Sequence, residues 1–173
     1  MVKSTFQNLS VEKRKRIEQA LLNEFSHYSL TKAQVSRIVK DAQIARGAFY
    51  KYFDDLNDAY RYIYHQAIQE VHLGYRGLTK EYNPDLFYQM TVDFINKTEQ
   101  SPYRELIKFH ILENDTQFQP DPKRLNSQLL LDASNWSAMV LTHEVIHLVL
   151  FDPEHRKQNL ERYRQSLELL KGR

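Results

Sequence analysis

Two short stretches of the chain combine residue types that could do chemistry. The first ends in a basic and aromatic run, Arg46-Gly-Ala-Phe-Tyr-Lys-Tyr-Phe53. An arginine at the start of such a run could present two donors to guanine O6 and N7, the commonest specific contact in the DNA major groove. The second stretch is His143-Glu-Val-Ile-His147. On a helix this spacing puts two imidazoles on one face beside a glutamate, as in zinc proteases.

The sequence around the His143–His147 motif gives little support to a zinc site. It fixes only three residues, so chance matches are common, although Glu168 lies at a spacing where a third ligand can occur. The flanking Met139-Val-Leu and Leu148-Val-Leu-Phe151 suit a packed bundle helix, and no strand is predicted that could hold a peptide substrate. We therefore expect packed or interfacial histidines, no catalytic residue, no metal and no cofactor. A zinc-dependent hydrolase built on His143, Glu144 and His147 is the alternative.

Charge is distributed unevenly along the chain. Residues 1–53 hold 10 Lys/Arg against 4 Asp/Glu, whereas residues 54–173 hold 14 against 18. A basic head on an acidic body suggests that the head meets a polyanion, although a solvated helix face would also carry Lys13-Arg-Lys-Arg16. There is no cysteine, which excludes disulfides and thiolate zinc sites. Neither a signal peptide nor a membrane-spanning run is predicted, so we expect a cytoplasmic protein.

Hydrophobic spacing predicts short helices in the N-terminal third. The first runs from about Val11 to Ser26, with Ser10 as its N-cap and one apolar stripe. The form of Thr31-Lys-Ala-Gln34 is that of a capping box, which predicts the start of a second helix. A turn at Asp41-Ala-Gln43 and a third helix from about Ala45 to Tyr52 then complete a helix-turn-helix unit. Phe49 and Phe53 are predicted to face the core; Arg46, Ala48, Tyr50, Lys51 and Tyr52 are predicted to lie outside.

The remainder of the chain also reads as helical. A helix is predicted from about Leu56 to Leu73, ended by Gly74. Four capping residues then stand before proline, which predicts four more helix starts. These helices cover about 84–99, 102–113, 122–151 (with a possible break near Ser134) and 153–171. The predicted fold class is all-α, with a helix-turn-helix head at 1–55 and a helical-bundle body for dimerisation and ligand binding at 56–173.

The head resembles the DNA-binding domain of TetR-family transcriptional regulators. Phe25, Val35, Ile38, Ile44 and the run Gly47–Phe53 fall in the register of the family pattern without a gap, over about residues 9–60. The resemblance implies a homodimer that binds a pseudo-palindromic operator on double-stranded DNA, as a repressor more often than as an activator. It also implies a possible small-molecule effector; the alternative is a body that binds a protein partner instead of a metabolite.

Several residues depart from the family pattern. The usual turn glycine is Gln43, which predicts a strained left-handed backbone there. Ala33-Gln34, Ala45 and Leu56 replace residues with hydroxyl or ammonium groups that often meet phosphate. Such losses would weaken sequence-independent affinity and its salt dependence.

Three sets of site residues are predicted. The DNA-binding set is Thr31, Lys32, Gln43, Ala45, Arg46, Gly47, Ala48, Tyr50, Lys51 and Tyr52. The ligand-binding set is Tyr62, His65, Tyr88, Asp93, His110 and Trp136. The dimer-interface set is Leu148, Phe151, Leu160, Tyr163 and Leu167.

Overall fold

The computed structural model describes residues 2–71, 81–114 and 131–171. Within these ranges the chain forms helices and no strand, which confirms the all-α prediction. The helices are α1 (Ser4–Gln7), α2 (Val11–His27), α3 (Val35–Asp41), α4 (Arg46–Tyr52), α5 (Leu56–Val71), α6 (Pro84–Gln100), α7 (Arg104–Phe109), α8 (Ala133–Phe151) and α9 (Arg156–Leu169). A π-helical turn, His110–Asn114, continues α7, and a 3-10 turn, Pro153–His155, precedes α9. None of the helices in the described ranges is long and apolar enough to cross a membrane.

Contacts divide the chain into two compact units. The first unit comprises Met1–Glu70 and Pro102–Gln117, and the second comprises Val71–Ser101 and Phe118–Arg173. The helix-turn-helix and α7 therefore belong to one unit, and α6, α8 and α9 to the other. The predicted division after residue 55 stays a prediction.

Helix α2 forms as its sequence predicts. The Ser10 hydroxyl accepts a hydrogen bond from the backbone N–H of Lys13, so one of the unpaired donors of the first turn is satisfied. Ile17, Leu21 and Phe25 are completely buried. Because residues three and four apart share a helical face, this stripe attaches α2 to the core of the first unit.

The predicted capping box at Thr31 is wrong. The Ser29 carbonyl accepts hydrogen bonds from the N–H groups of Lys32 and Ala33, so Thr31 lies inside a turn. Helix α3 begins four residues later, at Val35, and its N-cap Gln34 makes no side-chain cap bond. The helix starts there because the carboxylate of Glu24, on α2, takes the Gln34 N–H at 2.7 Å.

Helix α1 has no counterpart in the sequence-based prediction. It is only four residues long, and its one buried residue is Phe6. The Phe6 ring packs against Phe53 at 5.0 Å and edge-on against Tyr62 at 5.1 Å between ring centroids. Tertiary packing of one aromatic residue thus holds a segment whose polar composition gave no helix signal.

A single helix was expected over 102–113, and the structure divides it. The α-helix begins at Arg104 and changes to π-helical geometry at His110. The turn ends in a buried asparagine, Asn114, whose side-chain oxygen accepts the Leu30 N–H at 3.1 Å. The Asn114 side-chain amide also donates to the Tyr60 hydroxyl at 3.3 Å. These contacts bind the 102–114 segment to the turn before α3 within the first unit.

The prediction that a capping residue before proline starts a helix is confirmed in part. Asn83 caps α6 by accepting the Leu86 N–H at 3.0 Å, as predicted. Neither Ser101 nor Asp152 caps the next helix through its side chain: α7 starts after Tyr103, and Pro153 opens a 3-10 turn. The fourth predicted start, at residues 121–122, lies outside the described residues. The described part of the 122–151 helix is α8, capped by Asp132, close to the break considered at Ser134.

The centre of the second unit holds a buried polar cluster. The Tyr163 hydroxyl lies 2.6 Å from the Thr142 hydroxyl and 3.0 Å from that of Thr91, which joins α9 to α8 and α6. Both threonine hydroxyls also donate to carbonyls of their own helices. Burial raises the pKa of Tyr163, so the phenol stays protonated and can donate at neutral pH.

Candidate DNA-binding surface

The turn between α3 and α4 is a Schellman motif with glutamine at its left-handed position. Gln43 has a φ of 51°. The N–H of Gln43 donates to the Lys40 carbonyl and that of Ile44 donates to the Val39 carbonyl, the pair of bonds that defines the motif. This confirms the left-handed backbone expected where the family pattern has glycine. The motif ends α3 and sets the direction in which α4 leaves.

Replacing Gln43 by glycine should stabilise the protein. A residue with a Cβ is strained in the left-handed region, and glycine offsets part of the gain through its larger unfolded-state entropy. We expect Gln43→Gly to raise the free energy of unfolding by about 0.5–1 kcal/mol in denaturant titrations. The same change at exposed Gln19, inside α2, should lower it by about 1 kcal/mol. Equal effects at the two sites would show that the turn is unstrained.

Helix α4 separates a buried aromatic face from an exposed basic face. Phe49 is completely buried, and its ring packs against Phe53 at 5.4 Å. Arg46 and Lys51 are exposed, and Tyr50 is 43% exposed. Thr31, Lys32, Gln43, Ala45 and Gly47 are also exposed, whereas Ala48 is half-buried. Nine of the ten predicted DNA-binding residues therefore reach the surface of the first unit.

Tyr52 is the exception. It was predicted to lie outside, but the structure leaves it only 7% exposed. Its ring meets Phe6 edge-on, with 5.8 Å between the centroids. The sequence could not show this because the partner lies in the unpredicted helix α1. Tyr52 is therefore a core residue and does not belong to the candidate DNA-binding surface.

Gly47 leaves an open space on α4. A Cβ built at this position would meet no atom within 4 Å. Packing within the protein therefore does not require a glycine here, in the first turn of a seven-residue helix. The missing side chain lets another molecule approach the helix backbone closely.

An ion pair with a buried carboxylate fixes α3 against α2. The Glu24 side chain is only 4% exposed, and both of its carboxylate oxygens accept from Arg37 Nε, at 3.0 and 2.8 Å. A further Arg37 nitrogen donates to Glu24 at 2.6 Å, and the hydrogen bond to this carboxylate raises the pKa of Arg37. The guanidinium also lies 3.8 Å from the centre of the Tyr28 ring. Glu24 was not predicted as important, although a charge on the Ile17–Leu21 stripe was a visible signal.

Neutralising this carboxylate should be costly. Glu24→Gln leaves Arg37 without its charged partner. Because Arg37 is about a third exposed, the loss of stability should be smaller than that seen when a fully buried pair is broken. The free energy of unfolding should fall by about 2–3 kcal/mol. Glu12→Gln, on the exposed first turn of the same helix, should cost less than about 1 kcal/mol. Chemical denaturation of both variants measures this, and similar small losses would contradict the assigned role of Glu24.

Comparison with solved structures identifies the fold. A TetR family transcriptional regulator from Chloroflexus aurantiacus J-10-FL superposes with a TM-score of 0.59 and 21% identity, over 99% of this chain and 97% of that chain. A TetR transcriptional regulator from Rhodococcus sp. RHA1 gives 0.53 and 18%, over 92% and 96%. The chain has the TetR fold. No family model and no curated protein matches the sequence.

The zinc motif of this TetR-fold chain lies on α8. His143 and Glu144 are exposed, and the half-buried His147 packs its ring against Phe151 at 5.0 Å. The third ligand considered, Glu168, pairs with Lys171 at 2.7 Å. Among the described residues no group of three His, Asp or Glu side chains is arranged to hold a metal ion.

The six predicted ligand-binding residues belong to different units. Tyr62, His65 and His110 lie in the first unit, and Tyr88, Asp93 and Trp136 lie in the second. Several have local partners: Tyr62 donates to Glu18, His110 bonds the Tyr60 hydroxyl, and Gln89 donates to Asp93. Burial, and next the bond to Glu18, raise the pKa of Tyr62. Ligand binding by this set stays a prediction.

The predicted dimer-interface set needs correction. Tyr163 is buried and Leu167 completely so, within the core of the second unit, so neither can meet a partner chain. Leu148, Phe151 and Leu160 are half-buried. The large apolar side chains that α8 does expose are Trp136 and Val140, 52% and 45% exposed.

Proposed function

We propose that this protein is a cytoplasmic DNA-binding transcriptional regulator without catalytic activity. The observation that carries the proposal is α4, a short helix with a basic exposed face, an open position at Gly47 and a buried aromatic anchor. An α-helix of this kind fits the major groove, which is wide enough to admit one. The TetR fold supports the same function, since the two solved structures described above are each named as transcriptional regulators.

The residues of this surface take two kinds of role. Arg46, in the first turn of α4, would read a guanine through paired hydrogen bonds, with Ala48 near a thymine methyl. Tyr50 and Lys51, and Thr31 and Lys32 in the turn before α3, would contact phosphates and fix the register of the helix. Gln43 and Ala45 flank the start of α4 and would lie close to the DNA backbone.

Arg46 provides the direct test of DNA reading. After selection of an operator from random DNA, Arg46→Ala should weaken binding by about 1–3 kcal/mol and relax the preference at one base pair. Gly47→Ala is the companion variant: it should keep or raise stability, because nothing within the protein opposes the added methyl. It should still weaken operator binding if α4 lies against base edges. Full affinity and specificity in both variants would contradict this assignment.

We propose further that two copies form a dimer through α8. This helix is rich in apolar residues, a composition typical of a helix that packs against other elements. Trp136 and Val140 lie four residues apart on its exposed side, and the exposed His143 and Glu144 follow one turn later on the same side. In a two-fold interface the same patch serves both partners, so this face would pack against its own copy. Two heads would then address the two halves of a pseudo-palindromic operator.

The dimer is tested by a charge on this face. Val140→Glu should convert the protein to monomers and lower operator affinity, because buried like charges would face each other across the two-fold axis. Leu169→Glu is the matched control: Leu169, on α9, is more exposed than Val140, and this variant should remain dimeric. Analytical ultracentrifugation of both variants measures the mass. A dimeric Val140→Glu protein would place the interface elsewhere.

Repression is the simpler mode of action that we propose. A dimer that occupies an operator can block transcription without contacting any other protein. A reporter gene placed behind the selected operator should therefore be silenced by the wild-type protein and released by Arg46→Ala.

A further inference from the structure

The C-terminal end of α4 is completed by a segment far away in the sequence. The last four carbonyls of a helix have no partner within it. In α4 the Phe49 carbonyl accepts the N–H of Phe53 at 2.9 Å. The other three carbonyls are taken by the chain start: Lys3 N–H donates to Tyr52 at 3.1 Å, Lys3 Nζ donates to Tyr50 at 2.9 Å, and the Thr5 hydroxyl donates to Lys51.

Lys3 also brings a charge to this end of the helix. The C-terminus of a helix carries a partial negative charge, which an ammonium group stabilises. Its Nζ lies 2.8 Å from Asp54, just beyond α4, and the hydrogen bond to Lys3 lowers the pKa of that carboxyl group. The Lys3 side chain thus joins the last turn of α4 to Asp54, two residues beyond the end of the helix.

Phe6 anchors this segment in the core. It is buried against Tyr52 and Phe53, the two residues that end α4, and against Tyr62 on α5. Aromatic contacts of this kind stabilise the packing beyond the effect of the apolar area that they bury. We call residues 3–6, with these bonds and contacts, the N-terminal clamp.

Helix α4 needs such support. It has seven residues, and its N-cap residue, Ala45, makes no side-chain cap bond. Isolated helices of this length are not stable in water, because nucleation outweighs the few hydrogen bonds gained. Tyr50 and Lys51 belong to the last turn, whose carbonyls the clamp holds, so loss of the clamp would free the turn that carries them.

We propose that Lys3 and Thr5 are positioning residues for DNA binding: by holding the last turn of α4, they place Tyr50 and Lys51 against the phosphate backbone. This inference rests on the proposed function, because it assigns the clamp a consequence on DNA. Lys3 and Thr5 need not touch DNA, since both polar groups already point at α4. Base reading by Arg46, in the first turn, is separate from this effect.

The test combines two isosteric changes that keep Phe6 and the main-chain bonds. Lys3→Met removes the Nζ contacts, and Thr5→Val removes the hydroxyl. In the double variant without DNA, the amides of residues 50–53 should exchange with solvent about tenfold faster, since that turn opens locally more often. Operator affinity should fall about tenfold, which corresponds to about 1.4 kcal/mol. The slope of log K against log salt should decrease by about one, because the Lys51 phosphate contact is lost.

Two controls separate positioning from charge and from stability. Lys157→Met removes one exposed positive charge from the second unit and should leave the exchange rates and the salt slope unchanged. Thr5→Val alone changes no charge, so a lower salt slope in this variant must come through α4. Thermal unfolding of each variant shows that the protein is folded at the temperature of the binding assay.

Different outcomes test the clamp itself and its effect on DNA binding. Unchanged exchange at residues 50–53 in the double variant would overturn the clamp, and faster exchange with unchanged affinity and slope would overturn its role in DNA binding. If the wild-type protein selects no operator at low salt, the proposed function fails. The exchange measurement needs no DNA, so it still supports or overturns the clamp itself in that case.

Discussion

The buried carboxylate of Glu24 is the interaction on which the head depends. It accepts hydrogen bonds from the backbone N–H where α3 begins and from the guanidinium of Arg37 one turn later. A charge that is 4% exposed is tolerable only when it is paired and fully hydrogen-bonded. The pair therefore fixes both where α3 starts and how it lies on α2. The turn and α4 follow α3 directly, so their placement depends on the same contact.

From α3 onward, the head is built from elements that cannot form alone. Neither α3 nor α4 has a side-chain N-cap bond from its own N-cap residue, and each is seven residues long. Their unpaired backbone groups are satisfied from outside, by Glu24 at the start of α3 and by residues 3 and 5 at the end of α4. Because these bonds come from outside α4, the side chains on its exposed face are not needed to hold the helix in place. Its side chains are available for a partner.

Local rules are broken where the proposed function needs an unusual backbone or surface. Gln43 takes a left-handed conformation that favours glycine, while Gly47 occupies a helix position where no steric contact requires it. The left-handed backbone at Gln43 lowers stability, and glycine at position 47 lowers the helix propensity of α4. Proteins commonly accept such costs at functional sites, where binding geometry matters more than stability. Both departures flank Arg46, the residue proposed to read a base.

The sequence by itself determined the helical fold class, the helix-turn-helix, the left-handed turn at Gln43 and the exposed face around Arg46. These features follow from hydrophobic spacing, turn chemistry and residue type, which act over a few neighbouring residues. Only the tertiary structure decided that Tyr52 is buried, that α3 starts at Val35 and that Tyr163 and Leu167 face their own core. Each of these depends on a partner distant in sequence: Phe6 for Tyr52, Glu24 for α3, and α6 and α8 for Tyr163. Local patterns carry no information about such pairings, because they arise only when separate segments pack together.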